Sequence, residues 1–360
     1  MGNNKRSIEE DIEDSKKRYR SYKLDMSFGE LMNLYKEDEL IIPDYQRNFQ
    51  WTKKQRTRFI ESLLVGIPVP TIFVAENDDG KWEIIDGLQR LSTFFSFFGK
   101  LNDDKNDNWK LGKAELIESI KGLTYSELPP KSQYNIKRRV CSVEVIQAEE
   151  SDYTTRYELF NRLNTGGTPL SRQEIRNVLY RKLGTSFTEF LVKWGNNSDF
   201  IDLINPTEKQ KNTGELEELI LRFCCLYENP EEKMRNNLSD YMDKFMKSIV
   251  EKIGNKQEDE NLLMYEEILK RVINILKPEG SEIFRSKSNN KFSTSYYDGI
   301  MIGVSKNIDF YEKAQNTLNE KIEKLHNNEE FKEYSGSSSL NRDKTIGRLK
   351  VANDIFKNTD

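Results

Sequence analysis

The chain reads as an α+β protein, a mixed α/β domain in its first half followed by an all-helical domain. Three observations predict this. Short β-rich runs at 71–75, 82–85 and 140–146 are interleaved with helical patterns over the first half. From about residue 184 the apolar spacing is almost wholly helical, as at 215–227 and 264–276, broken at Pro206, Pro230 and Pro278. A length of 360 residues also exceeds what one ordinary hydrophobic core holds, so two cores are expected.

Residues 1–25 are dense in charge and poor in large apolar groups, which predicts a charged N-terminal arm, a solvated helix or loose segment. The α/β domain is expected over 26–183 and the helical domain over 184–360. Leu40-Ile41-Ile42 reads as a short strand ended by Pro43. Thr52 stands as N-cap to a helix that places Phe59, Leu63 and Leu64 on one face. The runs at 71–75 and 82–85 are separated by Asn77-Asp78-Asp79-Gly80, a hairpin signal, and a helix should begin just after Asp86-Gly87. Residues 140–146 alternate as a strand and 153–163 have helical period. An irregular Gly-Gly-Thr-Pro loop follows, with Ser171 and Glu174 as a capping box for the next helix. Residues 335–339 form a flexible link to a last helix at about 341–356.

Bulk properties narrow the function. Only 36% of residues are hydrophobic, but 19 Phe and 16 Tyr supply the large buried groups that disordered chains lack, so the chain should fold. A net charge of −4 rules out a general polyanion binder, so any contact with DNA needs a local basic patch. The three cysteines form no CxxC pair, which argues against a disulfide framework or zinc knuckle. No signal-peptide core and no membrane-length apolar run is visible, so a cytoplasmic protein with no membrane partner is expected. The single histidine, His326, reads as an exposed residue at a helix end. With no Asp, Glu or Cys arrangement around it to suggest a site, this sets aside Ser-His-Asp and Cys-His hydrolases and most zinc hydrolases.

Three segments could carry chemistry. In Ile42-Pro43-Asp44-Tyr45-Gln46-Arg47-Asn48-Phe49-Gln50-Trp51 a strand runs into an aromatic loop with one guanidinium and two carboxamides, a grouping that suits an anion. Core aromatics beside a solvated arginine would look the same. In Ile85-Asp86-Gly87-Leu88-Gln89-Arg90-Leu91-Ser92-Thr93 a strand turns through one glycine into a helix. The amides at that helix start form a phosphate seat, Arg90 a clamp and Gln89 a neutral donor. Asp86 could hold a Mg²⁺-bound water, accept from a ribose or act as general base, or simply cap the helix. In the third segment, Asn164, Thr165, Gly166, Gly167 and Thr168 offer compact polar groups and close backbone approach, ahead of Glu174. A helix-breaking loop reads the same way, and no Walker or GxGxxG pattern occurs.

In this order the three segments resemble the N-terminal domain of GmrSD-type restriction proteins. The pattern is IP-x-YQR-x-(aromatic)-x-W, then DG-x-QR-x-(T/S) after a strand, then F-x-x-x-N-x-x-G-x-x-L-(S/T), met here at Ile42 to Trp51, Ile85 to Thr93, and Phe160 to Ser171. Leu88 stands where the family usually has a second glutamine. That family is similar in turn to the ParB/sulfiredoxin-like superfamily, whose G-x-x-R turn grips phosphates, the spacing of Gly87 to Arg90. In the ParB third box, Leu163 replaces the acid and Gly167 the arginine, so a Mg²⁺ ion would be held otherwise, by Asp86 or Glu174.

The resemblance implies a defence protein that acts against foreign or modified DNA, binds a nucleoside triphosphate and hydrolyses it. Asp86 and Arg90 are the expected catalytic residues. Tyr45, Gln46, Arg47, Gly87, Gln89, Arg90, Thr93, Asn164, Thr165, Gly166, Gly167 and Glu174 are the expected nucleotide contacts. Family members often carry a His-metal (HNH) nuclease domain, which one histidine cannot build, so a separate effector protein would do any cutting. The alternative is a non-enzymatic module that binds duplex DNA or a partner, with Lys53, Lys54, Arg56 and Arg58 as its edge. Cleavage of DNA by the domain itself has no acidic cluster behind it.

Overall fold

The computed structural model describes residues 20–42, 51–147 (apart from 78 and 102–105) and 171–358 (apart from 181–184, 229, 255, 257, 258 and 337), together with 8, 9, 12, 13 and 16. The chain divides into two compact units, Met1–Leu170 and Ser171–Asp360.

The first unit is built on a five-stranded mixed sheet, β1 (Arg20–Ser27), β2 (Leu40–Ile41), β3 (Ile72–Glu76), β4 (Trp82–Asp86) and β5 (Val140–Gln147), in the order β1-β5-β3-β4-β2. The β3–β4 hairpin forms where the Asn77 to Gly80 signal places it. Gly80 takes a left-handed φ of 79°, and the Asn77 amide donates to the Lys81 carbonyl at 2.8 Å. β5 runs parallel to β3 and antiparallel to β1, and β2 parallel to β4.

β1 departs from the expected charged arm, whose last residues, Arg20 to Asp25, are paired strand. Tyr22, Leu24 and Met26 alternate with Ser21, Lys23 and Asp25, and every residue from Arg20 to Ser27 has a partner on β5. The polar members help to hold the register, for the Ser142 hydroxyl donates to Asp25 at 2.6 Å across the strand pair. Ser27 then ends the strand and caps α1 (Phe28–Lys36), forming a reciprocal capping box with Glu30.

Helices α1, α2 (Lys53–Val65), α3 (Leu88–Phe97) and α4 (Pro130–Lys137) close the core. Ile72, Val74, Ile84, Val143 and Val145 from the sheet are buried with Phe28, Leu31, Ile60, Leu63, Leu91, Phe94 and Phe95 from the helices. Thr52 caps α2 through a box with Gln55, as the sequence predicts. The Glu61 carboxylate is buried on α2 and accepts from the amides of Leu116 (2.5 Å), Ile117 (2.7 Å) and Glu115 (3.2 Å), while Thr57 Oγ1 accepts from Gly112 at 2.8 Å. These bonds pin the loop before α4 onto the helix.

The described residues of the second unit are helical apart from one isolated bridge, Arg285 to Phe292: α5 (Arg172–Tyr180), α6 (Thr185–Gly195), α7 (Ser198–Ile204), α8 (Glu215–Tyr227), α9 (Leu238–Ile253), α10 (Glu260–Leu276), α11 (Thr294–Ser305), α12 (Leu318–Asn327), α13 (Glu329–Ser335) and α14 (Arg342–Phe356), with shorter turns between them. Asn341 caps the last helix close to where the sequence starts it. Helix α11 is the axis of the unit, buried from Ser295 to Ser305. Gly299 and Gly303 let it approach its neighbours. A Cβ at Gly299 would lie 2.9 Å from the Phe331 ring, and one at Gly303 2.5 Å from the Phe356 ring.

Asp298 on α11 takes two bonds from Arg222 of α8 (2.5 and 2.7 Å) and two from Arg348 of α14 (3.1 and 2.6 Å), and all three side chains are buried. On α5, Arg176 is also fully buried, with its Nε 2.6 Å from Asp243 and its Nη1 3.1 Å from Gln173. The Asn177 amide donates to Glu217. His326 is buried, in contrast to its expected exposure. The apolar stripe Leu318, Ile322 and Leu325 continues one residue further, so the imidazole packs on Tyr296 with ring centroids 4.2 Å apart.

Two outcomes test this account. Asp298→Asn should destabilise the helical unit by roughly 3–5 kcal/mol, because it leaves two buried guanidinium groups without a counter-charge; chemical denaturation that matches wild type would refute it. Glu61 is pushed up by burial, but the three amides outweigh this and leave its pKa below the usual carboxylate value. Its contribution is therefore present above the unfolded-state pKa and lost as pH falls through the lower folded-state value. Glu61→Gln should lower the Tm at pH 7, and the gap to wild type should narrow in acid, measured by thermal melts across pH.

Candidate functional site

Strand β4 ends at Asp86, and the chain enters α3 through Gly87 alone. Gly87 has φ 99° and ψ 4°, and acts as N-cap without any side-chain cap bond. The site demands glycine twice over. A left-handed φ is strained for any other residue, and a Cβ here would sit 3.0 Å from Ile72 Cγ1 and 3.4 Å from an Arg90 Nη atom. The aspartate that could have capped the helix lies one residue too early, and its carboxylate turns to Arg90.

Arg90 is the centre of the turn. Its Nη2 meets Asp86 Oδ2 at 2.7 Å, and its Nη1 donates to the Thr71 carbonyl at 3.2 Å and to that of Pro70. The guanidinium thus ties the segment entering β3 to the end of β4. Its side chain is 11% exposed and that of Asp86 24%, so the pair lies at the edge of solvent and not in the core. Burial pulls the Arg90 pKa down, opposed mainly by Asp86. The nearby Cys141 thiol is pushed up to about 12 by burial against the charge of Arg90, and so stays neutral and unreactive.

Gln89 links two of the sequence segments. Its Oε1 accepts from the Trp51 amide at 3.2 Å, which brings the end of the first segment to the start of α3. Trp51 in turn packs edge-on against Phe59, centroids 5.7 Å apart. Thr93 is completely buried one turn along α3, its hydroxyl unpartnered among the described residues.

Tyr45, Gln46, Arg47, Asn164, Thr165, Gly166 and Gly167 lie outside the described residues, as does the side chain of Glu174. The helix on which Glu174 sits is described, and its Gln173, Arg176 and Asn177 are committed to contacts within the helical unit. Sequence reasoning counted that helix with the first domain, and the compact units part at Leu170, before it.

The basic edge on α2 is partly neutralised. Lys54 and Arg58 face Glu115 at 3.7 and 3.9 Å, and Arg56 lies over the Trp109 ring, 4.8 Å from its centroid. Among the described residues no group of three or more His, Cys, Asp or Glu forms a metal cluster, and no helix is long and apolar enough to cross a membrane.

The first unit is thus a mixed α+β domain in which β4, next to the edge strand β2, turns through one left-handed glycine into a helix, with an arginine folded back under that turn. Residues 28–181 match the family described as GmrSD restriction endonuclease, N-terminal domain, which supports the family resemblance for this part of the chain. No curated protein matches the chain.

Gly87→Ala should cost about 1–3 kcal/mol, from left-handed strain and the clash with Ile72. Urea denaturation measures it, and an unchanged midpoint would refute the constraint.

Proposed function

We propose that the first unit binds a nucleoside triphosphate with its phosphates at the start of α3 and hydrolyses it, as part of restriction-type defence against foreign or modified DNA. The observation that carries this reading is the Gly87 turn: a ten-residue helix begins there without a capping side chain, beside a partly exposed arginine. The family match supports the defence role.

Chemically, a phosphate arriving at the turn competes with Asp86 for the Arg90 fork. Bidentate guanidinium–phosphate pairing offsets the loss of the internal pair. The released Asp86 carboxylate is then placed to orient a water for attack on the terminal phosphorus, while Arg90 and the first-turn amides stabilise the charge that develops on the phosphoryl oxygens. One carboxylate together with the ligand's own phosphates meets the usual demand of Mg²⁺, so Asp86 would hold that ion. Tyr45, Gln46, Arg47 and the Asn164 to Gly167 loop would supply the remaining contacts. An effector protein would carry out any cleavage. Duplex DNA on the α2 edge has less support, since three of its four cations already face Glu115 or Trp109.

Calorimetry should show nucleotide binding abolished in Arg90→Ala and weakened in Arg90→Lys, with circular dichroism confirming that both variants fold. Unchanged affinity in Arg90→Ala would sink the assignment. A thermal-shift screen of ATP, GTP, CTP and UTP, each with and without Mg²⁺, should raise the Tm with at least one, and no shift with any of them would refute the reading.

A further inference from the structure

The helical unit contains an open cleft of about 980 Å³, bounded by the 286–293 loop, the start of α11, the end of α12 and the residues Ser335, Gly336 and Ser339. Its size is that of a small-molecule site. We propose that this cleft binds a phosphate-bearing small molecule, with the phosphate seated at the start of α11 between Lys291 and His326.

The first observation is the helix start. Ser293 precedes α11 in extended conformation and makes no side-chain cap bond, and the first intrahelical bond runs from the Tyr297 amide to the Ser293 carbonyl at 3.0 Å. The amides of Thr294, Ser295 and Tyr296 have no partner among the described residues. Unpaired first-turn amides on a twelve-residue helix favour an anion.

The second observation is independent of the helix. His326 lines the cleft and is 3% exposed. Its Nε2 lies 2.9 Å from the Ile283 carbonyl, which requires Nε2 to carry the hydrogen, and its Nδ1 is buried without a partner. A neutral ring thus leaves one unused nitrogen on a residue that lines the cleft. Proton uptake at Nδ1 would turn it into a donor to a phosphate oxygen.

The charges lining the cleft agree with this occupant. Lys287 is paired with Glu323 at 2.5 Å and Lys332 with Glu329 at 2.7 Å, whereas Lys291 makes no ion pair among the described residues. Glu215 is the one acid in the wall, and it accepts from Gln210 at 2.9 Å. Burial holds the His326 imidazolium below its ordinary pKa; the Ile283 carbonyl opposes this, Lys287 adds to it and Glu323 opposes it. A bound phosphate reverses the balance by stabilising the protonated ring.

His326 is the only histidine in the chain, so one imidazole resonance in the full-length protein reports the site. The probe is inorganic phosphate, titrated against chloride at matched ionic strength while the His326 Cε1–H shift is followed by NMR across pH. The expected result is a saturable shift and a rise of about half a pH unit or more in the apparent pKa. Affinity should fall about tenfold or more in Lys291→Glu, an exposed loop change whose fold is checked by circular dichroism. No saturable response, an equal response in folded Lys291→Glu, or a response to a short DNA duplex but not to phosphate would each overturn the proposal. Because the site lies wholly in the second unit, its failure is separate from any result at Arg90.

Discussion

The first unit depends on one backbone constraint, the left-handed conformation of Gly87. A strand and a helix meet there with a single residue between them, so the chain must reverse from extended to helical geometry without a loop. Gly87 makes that reversal possible, and the consequences spread outward. Leu91, Phe94 and Phe95 are delivered into the core under β3, β4 and β5, while the first turn of the helix is left facing the mouth of the turn. Arg90 cannot then avoid the end of β4, and its bonds to Asp86 and to the Pro70 and Thr71 carbonyls hold the two strands of the hairpin at a common level. The same geometry that stabilises the hairpin assembles the group we assign to ligand binding.

The helical unit solves a different problem. Its central helix is apolar enough to slide or rotate against its neighbours, and glycines at 299 and 303 bring it close without directional preference. Asp298 supplies the direction. Two guanidinium groups from two other helices reach one carboxylate, and each bond has a geometry that a shifted register would break. Arg176 does the same for α5 through Asp243 and Gln173. Buried ions of this kind are costly to desolvate, so we read them as devices that specify one packing among several apolar alternatives.

Much of this was legible from residues alone. The hairpin at Asn77 to Gly80, the Thr52 cap, the helix after Gly87 and the last helix all follow from local rules that act within a few residues. β1 was not, because the five charged or polar residues of the strand mask the Tyr22, Leu24, Met26 alternation until β5 is there to pair with it. His326 was misjudged for a related reason: its flanking lysines and asparagines describe solvent, whereas its place on the Leu318, Ile322, Leu325 stripe describes burial. The Asp86–Arg90 pair shows a further limit. Spacing predicts that both residues lie at the turn, but not that they bind each other.

The register of β1 also bears on how the chain is made. Ser27 pairs with Val140 and Arg20 with Gln147, so β1 finds its partner only after the whole of β2, β3 and β4 has been synthesised. Until then its alternating apolar side chains have no sheet to join, and its charged residues keep the waiting segment in water. A tract that looks like a solvated arm in sequence is therefore suited to a long wait for its partner.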